Sequence, residues 1–176
     1  EFQFQFNIEI GKALIDCGID VIYIGEDYAY NRGPFFPITF YRSRVFPRTR
    51  EMVRTFKRKG VPVFIHSDGD NNALMDDIIE TGTDGFHSIE PTSMNIRDVK
   101  MKYGDRLCLL GNVDISHTLP LGKPEEVASE VKSCIKAAAP GGGYILSSSN
   151  SLFHGIPIQN ITTMYETGRE YGVYSA

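Results

Sequence analysis

A small set of polar side chains stands at or just behind short apolar runs, and their types could do chemistry together. His66 and Asp68 lie two residues apart after the run 61–65. Side chains along a strand alternate faces with a period of two, so both can point to the same side. An imidazole nitrogen and a carboxylate oxygen are acceptable zinc ligands, which makes His66 and Asp68 candidate metal ligands; a further donor could come from Glu26, Asp27, Glu90 or Asn150. The same pair could act without metal, with Asp68 or Asp70 capping the helix that follows and His66 donating to a neighbouring carboxylate. Glu26 and Asp27 end the run 21–24 and, as neighbours, project to opposite faces, so only one of them can join such a site. Were that carboxylate partly buried near other acids, it would become a candidate proton carrier; a salt bridge to Arg32 is the alternative.

Glu90, Asn112 and Asp114 occupy equivalent places after two further runs. Pro91 keeps Glu90 out of helical geometry. Asn112 could offer an amide to a substrate carboxylate and Asp114 could accept from a substrate N–H, or both could cap the loops they stand in. His87 falls inside a run and reads as a core histidine, while His117 and His154 fall in loops without partners at ligand spacing. Tyr28, Tyr30, Phe35, Phe36, Phe40, Tyr41 and Phe46 crowd one segment. They could form a flat hydrophobic lid for a large ring, with Tyr28 touching substrate, or pack a core.

The elements that must position these residues repeat one pattern: helix, glycine-punctuated turn, short apolar strand. Strands are expected near 21–24, 61–65, 85–89, 106–110 and 144–147, and helices near 1–17, 38–59, 71–81, 95–103, 123–138 and 157–171. Gly18, Gly60, Gly82 and Gly104 suit the left-handed residue that ends a helix, and Pro124 and Pro157 suit first helical positions. Strand–helix alternation leaves an open doubly wound sheet or a (β/α)8 barrel. No GxGxxG joins a strand to a helix, and polar residues gather at strand ends, where barrels build their active sites. The expected fold is therefore an α/β (β/α)8 TIM barrel of which about five parallel strands and their helices are present. Five strands cannot close such a barrel, and the chain opens at Glu1 in mid-pattern, so residues 1–176 read as the C-terminal portion of a single barrel domain.

Composition narrows the partners. With 41% hydrophobic and 23% charged residues the chain is an ordinary globular one, and a formal net charge of -4 draws it toward no polyanion; nucleic acid is not expected. Cys17, Cys108 and Cys134 form no CxxC pair and stand in apolar patterns. They suggest free thiols in a reducing, cytoplasmic compartment. No run reaches the ~20 apolar residues of a membrane span, and the sequon at Asn160 lies inside an expected helix.

Four landmarks in order, Val61-Pro62-Val63-Phe64-Ile65-His66-Ser67-Asp68-Gly69, Gly111-Asn112-Val113-Asp114, Gly142-Gly143-Tyr144-Ile145-Leu146 and Pro157-Ile158-Gln159-Asn160, resemble the uroporphyrinogen decarboxylase superfamily over residues 8 to 174. That resemblance implies a tetrapyrrole small molecule bound above the barrel mouth. In the methyl-transferring branch, zinc is held by a His and two Cys; here His66 matches the histidine, Asp68 stands at the first Cys position and Asn150 at the second. In the decarboxylating branch the Asn150 position carries His and the Asp27 position carries Ser. The reading favoured is metal-assisted methyl transfer from a methylated corrinoid, with Asp27, His66 and Asp68 catalytic and Tyr28, Glu90, Asn112, Asp114 and Asn150 binding substrate. It implies zinc or another divalent metal, a corrinoid as substrate or partner cofactor, which a corrinoid protein could present, and admits a homodimer. The alternatives are decarboxylation of porphyrinogen acetate side chains, which needs no cofactor, and a non-catalytic tetrapyrrole-binding barrel.

Overall fold

The computed structural model describes residues 2–174. The chain divides into two compact units, one ending at Phe86 and the other starting at His87.

The first unit opens with α1 (Phe2–Asp16) and β1 (Ile22–Gly25), followed by a short hairpin of β2 (Ala29–Tyr30) and β3 (Gly33–Pro34). A helical run then passes from α2 (Ile38–Phe40) through a π-helical turn (Tyr41–Val45) into α3 (Phe46–Lys57). The expected single helix 38–59 is thus interrupted. Pro47 has no N–H to give the Ser43 carbonyl and crowds the turn before it, and widening that turn accommodates the ring. β4 (Val63–Ser67) and α4 (Met75–Glu80) follow, and β5 (Gly85–Ser88) begins at the boundary of the unit.

β1 and β4 pair in parallel, Ile22 against Val63 through Gly25 against His66. Ile22 and Val63 face α3, where they pack with Val53, Phe56 and Val61, joined at the rim by Ile15, Ile19, Ile24 and Met52. The other face of the two strands is left to Tyr23, Phe64 and His66. Gly85 is needed beside it: a Cβ there would stand 2.6 Å from the Phe64 ring.

The second unit contains α5 (Ile96–Tyr103), β6 (Cys108–Val113), α6 (Thr118–Leu121), α7 (Pro124–Ala138), β7 (Tyr144–Ser148) and α8 (Ile158–Tyr171). β6 and β7 are parallel, Leu109 against Tyr144 through Val113 against Ser148. α7 buries Val127, Val131, Cys134 and Ala138, one stripe of an amphipathic helix. It is closed at its start by a capping box in which Glu126 accepts from the Lys123 N–H at 2.7 Å. Asn160, the sequon residue, is 2% exposed and its amide donates to the carbonyls of Leu119 and Gly122, so folding withdraws it from modification.

In each unit consecutive long strands lie side by side, parallel, and are joined through helices, which is the singly wound order of a barrel. Two expectations shift. β4 and β6 start and end two or more residues later than expected, so His66 and Asn112 belong to the strands themselves. For β4 the cause is at the start of the run: Pro62 cannot donate to a ladder, and pairing begins after it. Gly18, Gly60 and Gly82 are left-handed, but Gly104, at φ -69°, stays right-handed and ends its helix without the turn expected of it. No helix among the described residues is long and apolar enough to cross a membrane.

The cysteines separate by environment. Cys17 is exposed where an apolar setting was expected, because it sits past the last turn of α1, whereas Cys134 is buried and its thiol is pushed up to about 11, chiefly by that burial. A thiol reagent at mildly alkaline pH should therefore modify Cys17 rapidly and Cys134 only on unfolding; mass spectrometry of partly labelled protein checks the order, and early labelling of Cys134 would contradict this packing.

Candidate metal and active site

The register of β1 on β4 assembles the site. Gly25 stands opposite His66, so the residues two further along each strand, Asp27 and Asp68, come side by side on the same face. The Asp68 N–H donates to Asp27 Oδ1 at 3.0 Å. His66 Nε2 lies 3.7 Å from Asp27 Oδ1 and 3.6 Å from Asp68 Oδ1, and one ligand atom from each of the three falls within 4.8 Å of the others. Two donors at ~2.1 Å from a zinc ion in tetrahedral geometry are roughly 3.4 Å apart, so small side-chain movements would suffice to close the three around one cation. Three protein donors with a position left open is the pattern of catalytic sites. The donor set fits a divalent metal.

The loop behind His66 is held by a buried polar knot that the sequence reading missed. Asn71, wholly buried, sends its Nδ2 toward the carbonyls of Asp68, Ser67 and Gly69, at 2.8, 3.2 and 3.2 Å, while its Oδ1 accepts from the Ser67 hydroxyl at 2.9 Å. Ser67 Oγ in turn accepts from the Tyr28 N–H at 2.9 Å, which ties the loop to the segment carrying Asp27. Gly69, left-handed at φ 79°, brings its backbone against Ala29 and Tyr30 so closely that a Cβ would meet their main chain at 2.7 Å. Neither Asp68 nor Asp70 caps the helix that follows: α4 starts after Leu74 without a side-chain cap, and Asp70 Oδ1 accepts instead from the Asn72 N–H within the loop. Only the Ser–Asn spacing in Ser67-Asp68-Gly69-Asp70-Asn71 could have signalled this, as a pattern common to many loops.

Tyr23, which the sequence marks only as a strand residue, stacks its ring on His66 at 6.0 Å between centroids. Burial, and then the Asp68 charge, push its phenol well above the usual tyrosine range, so it remains protonated. Glu26 takes the opposite face, as expected of a neighbour of Asp27. It lines a cavity of about 200 Å³ with Asn7, Tyr28, Arg44, Arg48 and Thr49, and burial followed by the Asp27 charge raises its carboxyl above the ordinary value.

Tyr28 is not at a surface. It is 1% exposed, packed edge-on against Tyr41 and Phe46 with centroids 5.9 and 5.5 Å away, and the Tyr41 hydroxyl donates to its carbonyl. Burial pushes its own phenol up to about 12. The expected substrate contact is thereby replaced by a core ring, because Tyr28 follows the strand by three residues and turns inward at the start of the hairpin.

In the second unit the expected residues are largely engaged in holding loops. Asn112 is 4% exposed; its Nδ2 donates to the Ile89 carbonyl at 2.7 Å and its Oδ1 accepts from Cys134 Sγ at 3.4 Å. That buried bridge stands where a contact with a substrate carboxylate was expected, since lying inside β6 turns the side chain into the unit. Asp114 caps its loop, accepting from the Ser116 N–H at 2.6 Å, and takes a 3.2 Å contact from His117 Nδ1, a partner for a histidine expected to have none. Glu90 accepts from the Thr92 hydroxyl at 2.7 Å, and Asn150 accepts from the Ser151 N–H. His87, 9% exposed, places Nε2 3.0 Å from the Ser148 carbonyl, the satisfied core histidine the sequence implied. His154 is exposed in the loop after β7.

Parallel strands joined through helices, with a His–carboxylate cluster at the strand ends of the first unit, are parts of a barrel-type α/β scaffold. The family model described as Uroporphyrinogen decarboxylase (URO-D) matches residues 1–171, and the chain belongs to that family. Among relatives, a methylcobamide:CoM methyltransferase of Methanosarcina barkeri is 28% identical over 93% of this chain and 45% of its own length. A uroporphyrinogen decarboxylase of Chlorobium phaeovibrioides is 26% identical over 90% of this chain and 44% of its own. A solved methyltransferase from Methanosarcina mazei superposes with a TM-score of 0.81 at 20% identity, covering 97% of this chain and 48% of that one, and shows the fold to be part of the family's TIM barrel. The chain thus spans a little under half the length of the proteins it matches.

The raised Glu26 carboxyl has a consequence for stability. An acid whose folded pKa exceeds its unfolded value loses stability as pH rises between the two, and the full cost is present above the folded value. Because Glu26 is exposed on one side and solvent screens it, Glu26→Gln is expected to raise the melting temperature only slightly at neutral and mildly alkaline pH and to leave it nearly unchanged below the ordinary glutamate range; thermal melts across pH check this, and an equal effect at both ends would contradict it.

Proposed function

We propose that Asp27, His66 and Asp68 hold a divalent cation in a protein that transfers a methyl group from a methylated corrinoid to a thiol acceptor. The single observation that supports this reading most is the meeting of one imidazole and two carboxylates within 4.8 Å on one face of β1 and β4. The relative named for methylcobamide supports the corrinoid, which a corrinoid protein would present.

A bound cation would supply the positive charge that lowers the pKa of an acceptor thiol, making thiolate available near neutral pH. The residues do the rest. Asp27 and Asp68 as carboxylates carry the same summed charge as the two thiolates that the methyl-transferring branch implies, with harder oxygen donors that select zinc less strictly. Tyr23 packs along the His66 ring and limits its rotation, while the Asn71 knot fixes the backbone that aims Asp68. Asp27, about half exposed, is placed to receive the proton the thiol gives up. The thiolate sulfur then takes the methyl carbon, and the pair of electrons in the broken cobalt–carbon bond stays with cobalt.

A second reading, decarboxylation of porphyrinogen acetate groups, draws on the relative of that name at nearly equal identity. It uses the same carboxylates to stabilise a protonated pyrrole and needs no metal. Metal analysis separates the two: the first reading expects about one divalent cation per chain, with affinity lowered at least ~10-fold in His66→Ala and methyl transfer lost with it. Carbon dioxide release from a porphyrinogen that persists unchanged in His66→Ala and without metal would replace the first reading by the second.

A further inference from the structure

The parallel ladder between β1 and β4 ends at Glu26, and two side chains stand in for its next bond. Ile22 donates its N–H to the Pro62 carbonyl at 3.0 Å, and Glu26 donates to the His66 carbonyl at 3.1 Å. Parallel pairing repeats every two residues, so continuation would run from the Tyr28 N–H to the Asp68 carbonyl. The two groups take other partners. The Tyr28 N–H donates to Ser67 Oγ at 2.9 Å, and the Asp68 carbonyl accepts from Asn71 Nδ2 at 2.8 Å. Both ends of the replaced bond are thereby satisfied by side chains.

The two side chains are also joined to each other. The Ser67 hydroxyl lies 2.9 Å from Asn71 Oδ1, the nearer of its two acceptors, while Asn71 Nδ2 reaches the carbonyls of Ser67 and Gly69 as well. Turning the carboxamide over would set its oxygen against three carbonyls, so it has one arrangement. Ser67 and Asn71 are buried, and water does not compete for these bonds. The bond from Tyr28 to Ser67 joins the immediate neighbours of Asp27 and Asp68, the carboxylates that lie 3.7 and 3.6 Å from His66 Nε2. A continued ladder would hold those neighbours at the fixed spacing of paired strands. Here the length of a serine and an asparagine side chain sets the spacing instead.

We propose that Ser67 and Asn71 are positioning residues for the cation cluster: by replacing one ladder bond they fix the separation of Asp27 and Asp68, and with it the affinity for a divalent cation. The proposal rests on the cation reading of the preceding section and adds which residues, themselves outside the donor set, tune it. Groups that orient a ligand without touching the metal commonly change affinity ~10–100-fold when removed.

Zinc titration of the full chain and its variants tests this. Ser67→Ala and Asn71→Ala are each expected to weaken zinc binding about tenfold or more. Ile8→Ala, a core truncation on α1, lowers stability outside the loop and is expected to keep the affinity, so thermal melts of all three separate positioning from general destabilisation. Should Asn71→Ala fail to fold, Ser67→Ala, which loses only a hydroxyl, carries the comparison. Undiminished zinc affinity in folded Ser67→Ala, or an equal loss in Ile8→Ala, overturns the proposal. A second readout needs no metal: the Asp68 amide proton, donated to Asp27 Oδ1, should exchange about tenfold faster in Ser67→Ala than in unsubstituted protein. Unchanged exchange overturns the spacing role by itself. Failure of the unsubstituted protein to bind zinc, with the exchange difference present, strikes the cation reading and leaves the spacing role standing.

Discussion

The parallel register that sets Gly25 beside His66 is the constraint on which the candidate site depends. Side chains alternate strictly along a strand, so a slip of one residue would send His66 into the helix layer and bring Ser67 out in its place. The slip is opposed on both sides. Ile22 and Val63 are buried against α3 and would be expelled, while the close approach of Phe64 over Gly85 would be lost. The apolar face of the two strands thus specifies the geometry of the polar one.

Beyond the last paired residue the ladder no longer supplies order, and side-chain hydrogen bonds take over. Asn71 satisfies three carbonyls of the loop 67–69 and Ser67 reaches across to the Tyr28 N–H. A buried carboxamide with this many partners is costly to remove and leaves the loop few alternatives. Asp68 is therefore presented by a rigid backbone, and the hairpin bearing Tyr30 is carried on the same loop. The His–carboxylate cluster and the hairpin therefore share one support.

Much of this was legible in the sequence. The alternation of helices and short apolar runs, the glycines at 18, 60 and 82 and the face-sharing of His66 with Asp68 all followed from local rules of spacing and turn chemistry. The choice of Asp27 over Glu26 followed from alternation too, once the resemblance fixed the phase. What escaped depended on contacts between distant segments. Tyr28 and the exposed Tyr30 are two residues apart and chemically alike; only the position of Tyr41 and Phe46 makes the first of them core. Asn112 looked available because it follows an apolar run, yet a strand that ends three residues later than expected buries it against Cys134 and Ile89. Asn71 carried no signal apart from its type, since its partners are backbone carbonyls that every residue has.

X-ray absorption at the zinc edge of metal-loaded protein reads out the proposed nitrogen–oxygen site of His66 and two aspartates. The expected first shell holds nitrogen and oxygen only, at ~2.0–2.2 Å, including one imidazole. A sulfur scatterer at ~2.3 Å, or zinc held with no imidazole in its shell, would contradict it.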